Sequence, residues 1–327
     1  MHYLGIDVAK AKLDCALLDT TTDKRKTKSI PNNASGFALM ADWLGKYGIT
    51  LTDLHAVLEA TGVYHEAVAL WLADAGVTVS IANPAQVKDF ARGLAVRTKT
   101  DGVDSVVLAR YGALVKPQPW TPPPPEVREL KALLARLEAL ETDVRRELNR
   151  QEKATLSSVP ALVQQSLDAH LAVLKHEIAR LHTAIDDHID RHPGLKADQA
   201  YLLSIPAVGE KTANRMVALL HSRTFKSAEQ VAAFLGLVPV EHQSGSSVLK
   251  RPHLSKNGDA KTRAVLYMAA IVATRYNPDI KAMYERLCAR GKPKMVALGA
   301  AMRKLVHQCF GVIKHQQPYR QNGAVSA

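Results

Sequence analysis

Along the first 116 residues, apolar positions come in short runs, each ended by Gly, Asn, Pro or Asp, a pattern that predicts strands at His2–Val8, Lys12–Leu18, Lys26–Ile30, His55–Leu58 and Val77–Ala82. Helical spacing falls between or after them, at Ser35–Tyr47 with Ser35 as the expected cap, then Tyr64–Ala75, Pro84–Arg92 and Val103–Val115. Three strands in succession followed by strand–helix alternation predict an α/β arrangement with hairpins on one side of a mixed sheet. From Glu126 to about Arg191 the period lengthens. Leu130, Leu134, Leu137, Val144 and Leu148, interrupted by Glu141, and then Leu171, Leu174, Ile178, Leu181 and Ile185 follow three-and-four spacing. Ser157-Ser158-Val159-Pro160 lies between them as a turn. This reads as a helical hairpin or coiled coil, whose seams either join copies of the chain or pack on each other within one. Beyond His192-Pro193-Gly194, helices are expected at Phe225–Leu235, Ala260–Tyr276 and Met295–Val312. A polar stretch, Glu241–Ser247, precedes the last two, and the tail past Pro318 is expected to be poorly ordered.

Pro117, Pro119 and the run Pro122–Pro125 favour extended polyproline geometry and mark a boundary. The expected division is an α/β domain over 1–125, a helical coiled-coil or oligomerisation segment over 126–195, and a mainly helical domain over 196–327. A chain of 327 residues is long enough for two or three folding units. With 47% hydrophobic and 23% charged residues its composition is that of a soluble globular protein. No apolar run reaches the roughly 18 residues of a membrane span, and no signal-like start is present, so a cytoplasmic, nucleoid-associated protein with no membrane partner is expected. Cys15, Cys288 and Cys309 are too scattered for a disulfide framework or a zinc knuckle. The net charge of +12 is segregated: 13 basic against 12 acidic residues in 1–125, 11 against 13 in 126–200, and 19 against 6 in 201–327. A polyanion is the natural partner for that last segment.

Candidate chemistry begins at Asp7. On a strand, Tyr3, Gly5 and Asp7 share one side and Leu4, Ile6 and Val8 the other, so the acid needs a partner, water or a metal. Glu59 ends the fourth predicted strand. Asp101 and Asp104, three apart at the start of a predicted helix, share one helical face. Each acid alone has an ordinary explanation, a helix cap for Asp101 or Asp104 and a strand-end acid for Glu59. If the first and fourth strands are neighbours and the helix covers their ends, the four carboxylates converge and require cations among them. Mg²⁺ suits oxygen ligands, and two such ions clamp the attacking and leaving oxygens of phosphoryl transfer. The order strand acid, strand acid, helix acids is that of the ribonuclease H-like nuclease fold.

Two further stretches concern phosphate. Ile205–Ala213 resembles a helix-hairpin-helix element, in which Gly209, Lys211 and Thr212 would meet a phosphate at a helix start. It is not a nucleotide phosphate loop, because no upstream Gly stands at the required spacing. Ser244-Gly245-Ser246-Ser247 is followed by Lys250, Arg251, His253 and Lys256. Such a Ser/Gly run is more often a flexible turn than a catalytic loop, but the cations after it offer partners for a phosphate.

Together, Tyr3–Lys10, Leu58-Glu59-Ala60-Thr61-Gly62, Asn83-Pro84, Lys99–Asp104, Ile205–Gly209 and Ser244–Ser247 resemble the DEDD transposases of the IS one-ten family, bridge-RNA-guided serine recombinases of bacterial insertion sequences. The likeness runs over about residues 2 to 315. It implies a RuvC-like DEDD domain in which Asp7, Glu59, Asp101 and Asp104 bind Mg²⁺, two ions per composite site. It also implies a C-terminal transposase domain in which Ser244 forms a covalent phosphoserine with DNA. Donor and target DNA, a bridge (guide) RNA and a tetramer, with tetrad and serine from different subunits, are implied in the same way. Ala207 replaces a usual glycine, and Gly102-Val103 stands between the paired aspartates where the family often has Thr first. The rival readings are a RuvC-like Holliday-junction or structure-specific endonuclease using water, an actin-like ATPase, and a non-catalytic DNA-binding protein. The ATPase is disfavoured because Val8-Ala9-Lys10-Ala11 follows Asp7 in place of a Gly-Thr phosphate turn.

Overall fold

The computed structural model describes residues 2–60, 62–94, 101–244 and 248–321, and for Asp101, 241–244 and 248–252 it describes the backbone alone. The chain forms two compact units, Met1–Pro122 and Pro123–Ala327.

The first unit is built on five strands: β1 (His2–Val8), β2 (Lys12–Asp19), β3 (Arg25–Pro31), β4 (Leu54–Glu59) and β5 (Thr78–Ala82), in the order β3-β2-β1-β4-β5. β1, β2 and β3 pair antiparallel, while β1, β4 and β5 are parallel. Alternation along β1 divides the core. Leu4, Ile6 and Val8 join Leu13, Leu17, Ala56 and Leu58 beneath α1 (Ala34–Gly45) and α2 (Glu66–Asp74). On the opposite face Tyr3, Leu18 and Val57 pack beneath α4 (Asp101–Val115), which also meets α3 (Pro84–Gly93) through Val87 and Tyr111. A three-strand meander followed by two parallel strands, with helices on both faces, is the ribonuclease H-like arrangement. The N-cap of α1 is Asn33, not Ser35: Asn33 Oδ1 accepts from the Gly36 amide at 3.0 Å, and the Ser35 hydroxyl donates to the same oxygen. The expected cap sits one residue inside the helix it was meant to start. After α4 the chain crosses the open edge of β5, where the Trp120 amide donates to the Val79 carbonyl at 2.7 Å. That contact shields an edge strand from other pairing.

In the second unit, α5 (Pro125–Leu156) and α6 (Ala161–Asp190) lie along each other, and their roots enter one core with α7 (Pro193–Leu203), α8 (Glu210–His221), α9 (Ala228–Phe234), α10 (Ala260–Tyr276), α11 (Pro278–Ala289) and α12 (Lys294–His315). Leu130, Leu137, Ile185 and Ile189 share that cluster with Leu202, Met216, Leu266 and Leu305. Farther out the heptad reading slips. Leu148 is exposed, whereas its neighbour Glu147 is buried, paired with Arg150 and, at 3.2 Å, with His170 across the hairpin. Around the polar stretch, where no strand was expected, the chain forms a ribbon, β6 (Pro239–Ser244) against β7 (Val248–Leu254). Tyr319, expected in a loose tail, is docked: its amide donates to Ser204 Oγ and its hydroxyl to Asp279, both at 2.8 Å. Among the described residues, no helix is long and apolar enough to cross a membrane.

Candidate active site

The parallel ladder of β1 and β4 runs from His2 opposite Leu54 to Ile6 opposite Leu58. One further step sets Asp7 beside Glu59 at the carboxyl ends of adjacent strands, on one face because paired residues of a ladder share a face. α4 covers that face at close range. A Cβ on Gly5 would stand 2.0 Å from the Ser105 carbonyl oxygen and 2.3 Å from the Ala109 nitrogen, and one on Gly112 would stand 2.8 Å from Tyr3 Cδ1. The helix therefore runs opposite to β1, with Gly112 over Tyr3 and the 105–109 turn over Gly5. Two strand residues advance ~6.6 Å, the rise of about four helical residues. The level of Asp7 thus falls at about residues 101–104, where α4 begins and where Asp101 and Asp104 stand one turn apart. Gly5 is what lets the helix backbone settle this close.

The same face holds a carboxylate that sequence reasoning passed over. Asp14 of β2 is the antiparallel partner of Asp7, so Asp14, Asp7 and Glu59 occupy three adjacent strands in a row. Lys12 binds Asp14 at 3.0 Å. The hairpin register places it there: the Ala9 amide donates to the Lys12 carbonyl, and pairing outward from that turn brings Asp14 opposite Asp7. His55, on the same face, is buried at the other end of β4, stacked on Tyr3 and hydrogen-bonded to Ser80 at 2.8 Å. Burial holds its pKa below the ordinary histidine value. It is a packing residue, remote along the strand from Glu59.

Carboxylate oxygens are the donor set of a hard divalent cation. Among the described residues, no three His, Cys, Asp or Glu side chains are gathered closely enough to hold one, and the Asp101 side chain lies outside that description.

Ser244 is the last residue of β6, paired with Val248, and Gly245, Ser246 and Ser247 between them lie outside the described residues. Lys250 pairs with His242 and Arg251 follows it on β7, past an irregularity between Val240 and His242. The foot of the ribbon is tied by backbone. The Ser255 amide donates to the Val238 carbonyl, the Lys256 amide to Gly236, and Arg263 Nη1 to the carbonyls of Leu235, Asn257 and Gly258. Gly258, at φ +95°, passes Phe234 so closely that a Cβ would stand 2.0 Å from its carbonyl oxygen. Asp259 caps α10, accepting from the amides of Lys261 and Thr262. Burial raises its pKa, but the Thr262 hydroxyl and amide and the Arg215 charge outweigh it and leave the carboxyl below the usual value.

Gly209 is the N-cap of α8, with its backbone at the helix start. Thr212 is buried, and Lys211 is ion-paired with Glu141 of α5, so the element presents the Gly209 backbone more readily than either side chain. Arg215 and Lys261 are likewise paired with Glu138, at 2.8 and 3.4 Å. Ala207, in the turn before α8, has φ +79°, which explains why glycine suits that position. Lys256 is exposed at the ribbon foot.

Comparison with known proteins now decides the family. A profile of IS110 DEDD transposases matches residues 4–159, and one described as transposase IS116/IS110/IS902 family matches 199–285. The pilin gene-inverting protein of Moraxella bovis is 32% identical over 97% of this chain and 97% of its own length, and that of Moraxella lacunata matches equally. The chain belongs to the IS110 transposase family. This is a family of transposases and recombinases that act on DNA. A solved structure of Thermus thermophilus RuvC in complex with a Holliday junction substrate aligns over 36% of this transposase and 99% of its own chain, at 16% identity and a TM-score of 0.27.

Proposed function

We propose that this IS110-family transposase cuts and exchanges DNA strands of an insertion sequence by Mg²⁺-dependent phosphoryl transfer through a covalent phosphoserine. The observation that carries the reading is the β1–β4 register with the start of α4 at the same level, which gives Asp7, Glu59, Asp101 and Asp104 a common end of the sheet. Those four would hold the ions, two per site. Bound Mg²⁺ supplies Lewis-acid polarisation of the phosphodiester and charge for the leaving oxygen. Ser244 Oγ attacks phosphorus and loses its proton, one P–O bond to deoxyribose breaks, and that oxygen leaves as a hydroxyl. A hydroxyl of the incoming strand then attacks the phosphoserine and returns the serine. Gly209, Lys211, Thr212, Lys250, Arg251 and Lys256 hold phosphates of the same substrates. The working assembly is a tetramer guided by a bridge RNA on donor and target DNA, in which the carboxylates of one subunit serve Ser244 of the partner subunit. The segments 126–195 and 196–327 act as oligomerisation arm and transposase domain.

A second reading is favoured by the full-length similarity to two pilin gene-inverting proteins: the same chemistry yields inversion of a DNA segment when both ends lie on one molecule. Incubating the purified protein with element-end DNA and Mg²⁺ tests the common chemistry. The expected result is a protein–DNA adduct that survives denaturant, lost in both Ser244→Ala and Asp104→Asn. An adduct persisting in Ser244→Ala moves the nucleophile to Ser246 or Ser247, and Mg²⁺-dependent cutting with no adduct in the wild type replaces the serine by water, as in a RuvC-like endonuclease.

A further inference from the structure

We infer that the corner between α11 and α12, which carries Arg286, Arg290, Lys292 and Lys294, grips the phosphate backbone of duplex DNA. The inference rests on DNA being the substrate, and it adds a second phosphate-holding surface to the residues named above. Residues 201–327 hold 19 basic against 6 acidic residues, yet much of that positive charge is already engaged. Lys211 pairs with Glu141, and Arg215 and Lys261 pair with Glu138. Arg263 donates to three backbone carbonyls, and Arg223 and Lys314 lie over the rings of Phe234 and Phe310. The corner is different. Four cations fall within residues 286–294, with no acid among them. All four are exposed, and among the described residues no ion pair or side-chain hydrogen bond engages any of them. Arg286 and Arg290 stand four residues apart at the end of α11, a spacing at which like charges repel. Nor is the turn loose. The Arg290 amide donates to the Arg286 carbonyl at 3.2 Å, that of Gly291 to Cys288 at 2.9 Å and that of Lys292 to Leu287 at 3.1 Å, with Gly291 at φ +77° closing the helix. Beside the cations, Met295 and Val296 in the first turn of α12 are 65% and 55% exposed. A fixed projection of uncompensated positive charge with uncovered apolar side chains next to it fits a partner that supplies regularly spaced negative charges joined by sugars. Duplex DNA has that chemistry.

The salt dependence of binding tests this, because each cation that neutralises a phosphate adds about 0.9 to the slope of log affinity against log salt. The full chain is titrated onto a fluorescent duplex of about 20 base pairs and arbitrary sequence, in EDTA, over about 50–300 mM KCl. Arg290→Gln combined with Lys292→Gln lowers the slope by about 1.8 and weakens binding on the order of tenfold or more near 0.1 M salt. Lys261→Gln combined with Lys314→Gln removes the same charge from cations that are already engaged, and changes the slope by less than about 0.5. Arg290→Lys combined with Lys292→Arg keeps both charges and binds as the wild type does. Thermal melts check that each variant is folded. Should the corner double variant fail to fold, Arg286→Gln and Lys294→Gln singly each lower the slope by about 0.9. Equal falls in the two glutamine double variants reduce the effect to net charge and overturn the inference. So does a corner variant with an unchanged slope, or one that loses affinity for an RNA duplex of the same length but not for DNA. Wild-type protein that binds no duplex overturns the DNA reading and this inference with it, whereas salt-dependent wild-type binding indifferent to the corner overturns this inference alone. Read in EDTA, these outcomes are independent of the phosphoserine chemistry.

Discussion

The acid face and the serine ribbon are held in place in different ways. Asp7 and Glu59 ride on neighbouring strands of a five-stranded sheet covered on both sides by helices, so the ladder sets their separation and packing prevents a slip. Ser244 ends one strand of a two-stranded ribbon, a structure marginal by itself, and support for the ribbon comes at its foot from backbone ties and the cap of α10. Groups that must hold a fixed spacing are built into a core. Under the proposed function, the serine that meets the substrate stands instead on a ribbon tied down at its foot.

Substitutions at three positions probe this contrast, beginning with the largest effect. In Gly5→Ala the added carbon meets the backbone of α4 with no flexible side chain to yield, so the first unit should lose about 3 kcal/mol or more. Urea unfolding of the full chain should then show an early transition for that unit, and a coincident wild-type-like transition would refute the close approach of α4. At the ribbon foot, Asp259→Ala removes an N-cap and should cost about 1–2 kcal/mol. Its depressed folded pKa makes the stabilisation present in full above the unfolded aspartate value of about 3.9 and lost as the pH falls through the lower folded value. Wild type and Asp259→Asn should therefore differ at neutral pH and converge on acidification, as pH-dependent melts would read. The smallest effect has the opposite sign. Ala207→Gly relieves a residue held at φ +79° and should stabilise the second unit by about 1 kcal/mol, measured by its denaturant midpoint; a lower midpoint would mean the turn tolerates alanine.

Much of the first unit was legible along the chain. Strand runs ending at Asp7 and Glu59 were visible because alternation and turn residues act locally, and the Asp101/Asp104 spacing needs only a helix. Asp14 was not legible as a neighbour of Asp7, since that depends on which hairpin register forms. The ribbon at β6 and β7 was missed because its sequence is polar, and the strand signal depends on apolar alternation that a two-stranded projection does not require. Glu147 was misjudged against Leu148 because heptad phase drifts over a long helix and the partners, Arg150 and His170, accommodate a buried acid. Tyr319 was read as loose because its ties, Ser204 and Asp279, are distant in sequence.

By itself, the sequence determined the alternation of strands and helices, the proline boundary, the segregation of positive charge and the residue types able to do phosphoryl chemistry. These follow from local periodicity and composition. The tertiary structure decided which residues are neighbours: Asp14 opposite Asp7 and the carboxyl end of β1 beside that of β4 by ladder register, the start of α4 with the strand ends by the absence of a side chain at Gly5, and Lys211 with Glu141 by the docking of α5 on α8. Such meetings are long-range, because each joins segments whose separation is settled only when the whole core packs.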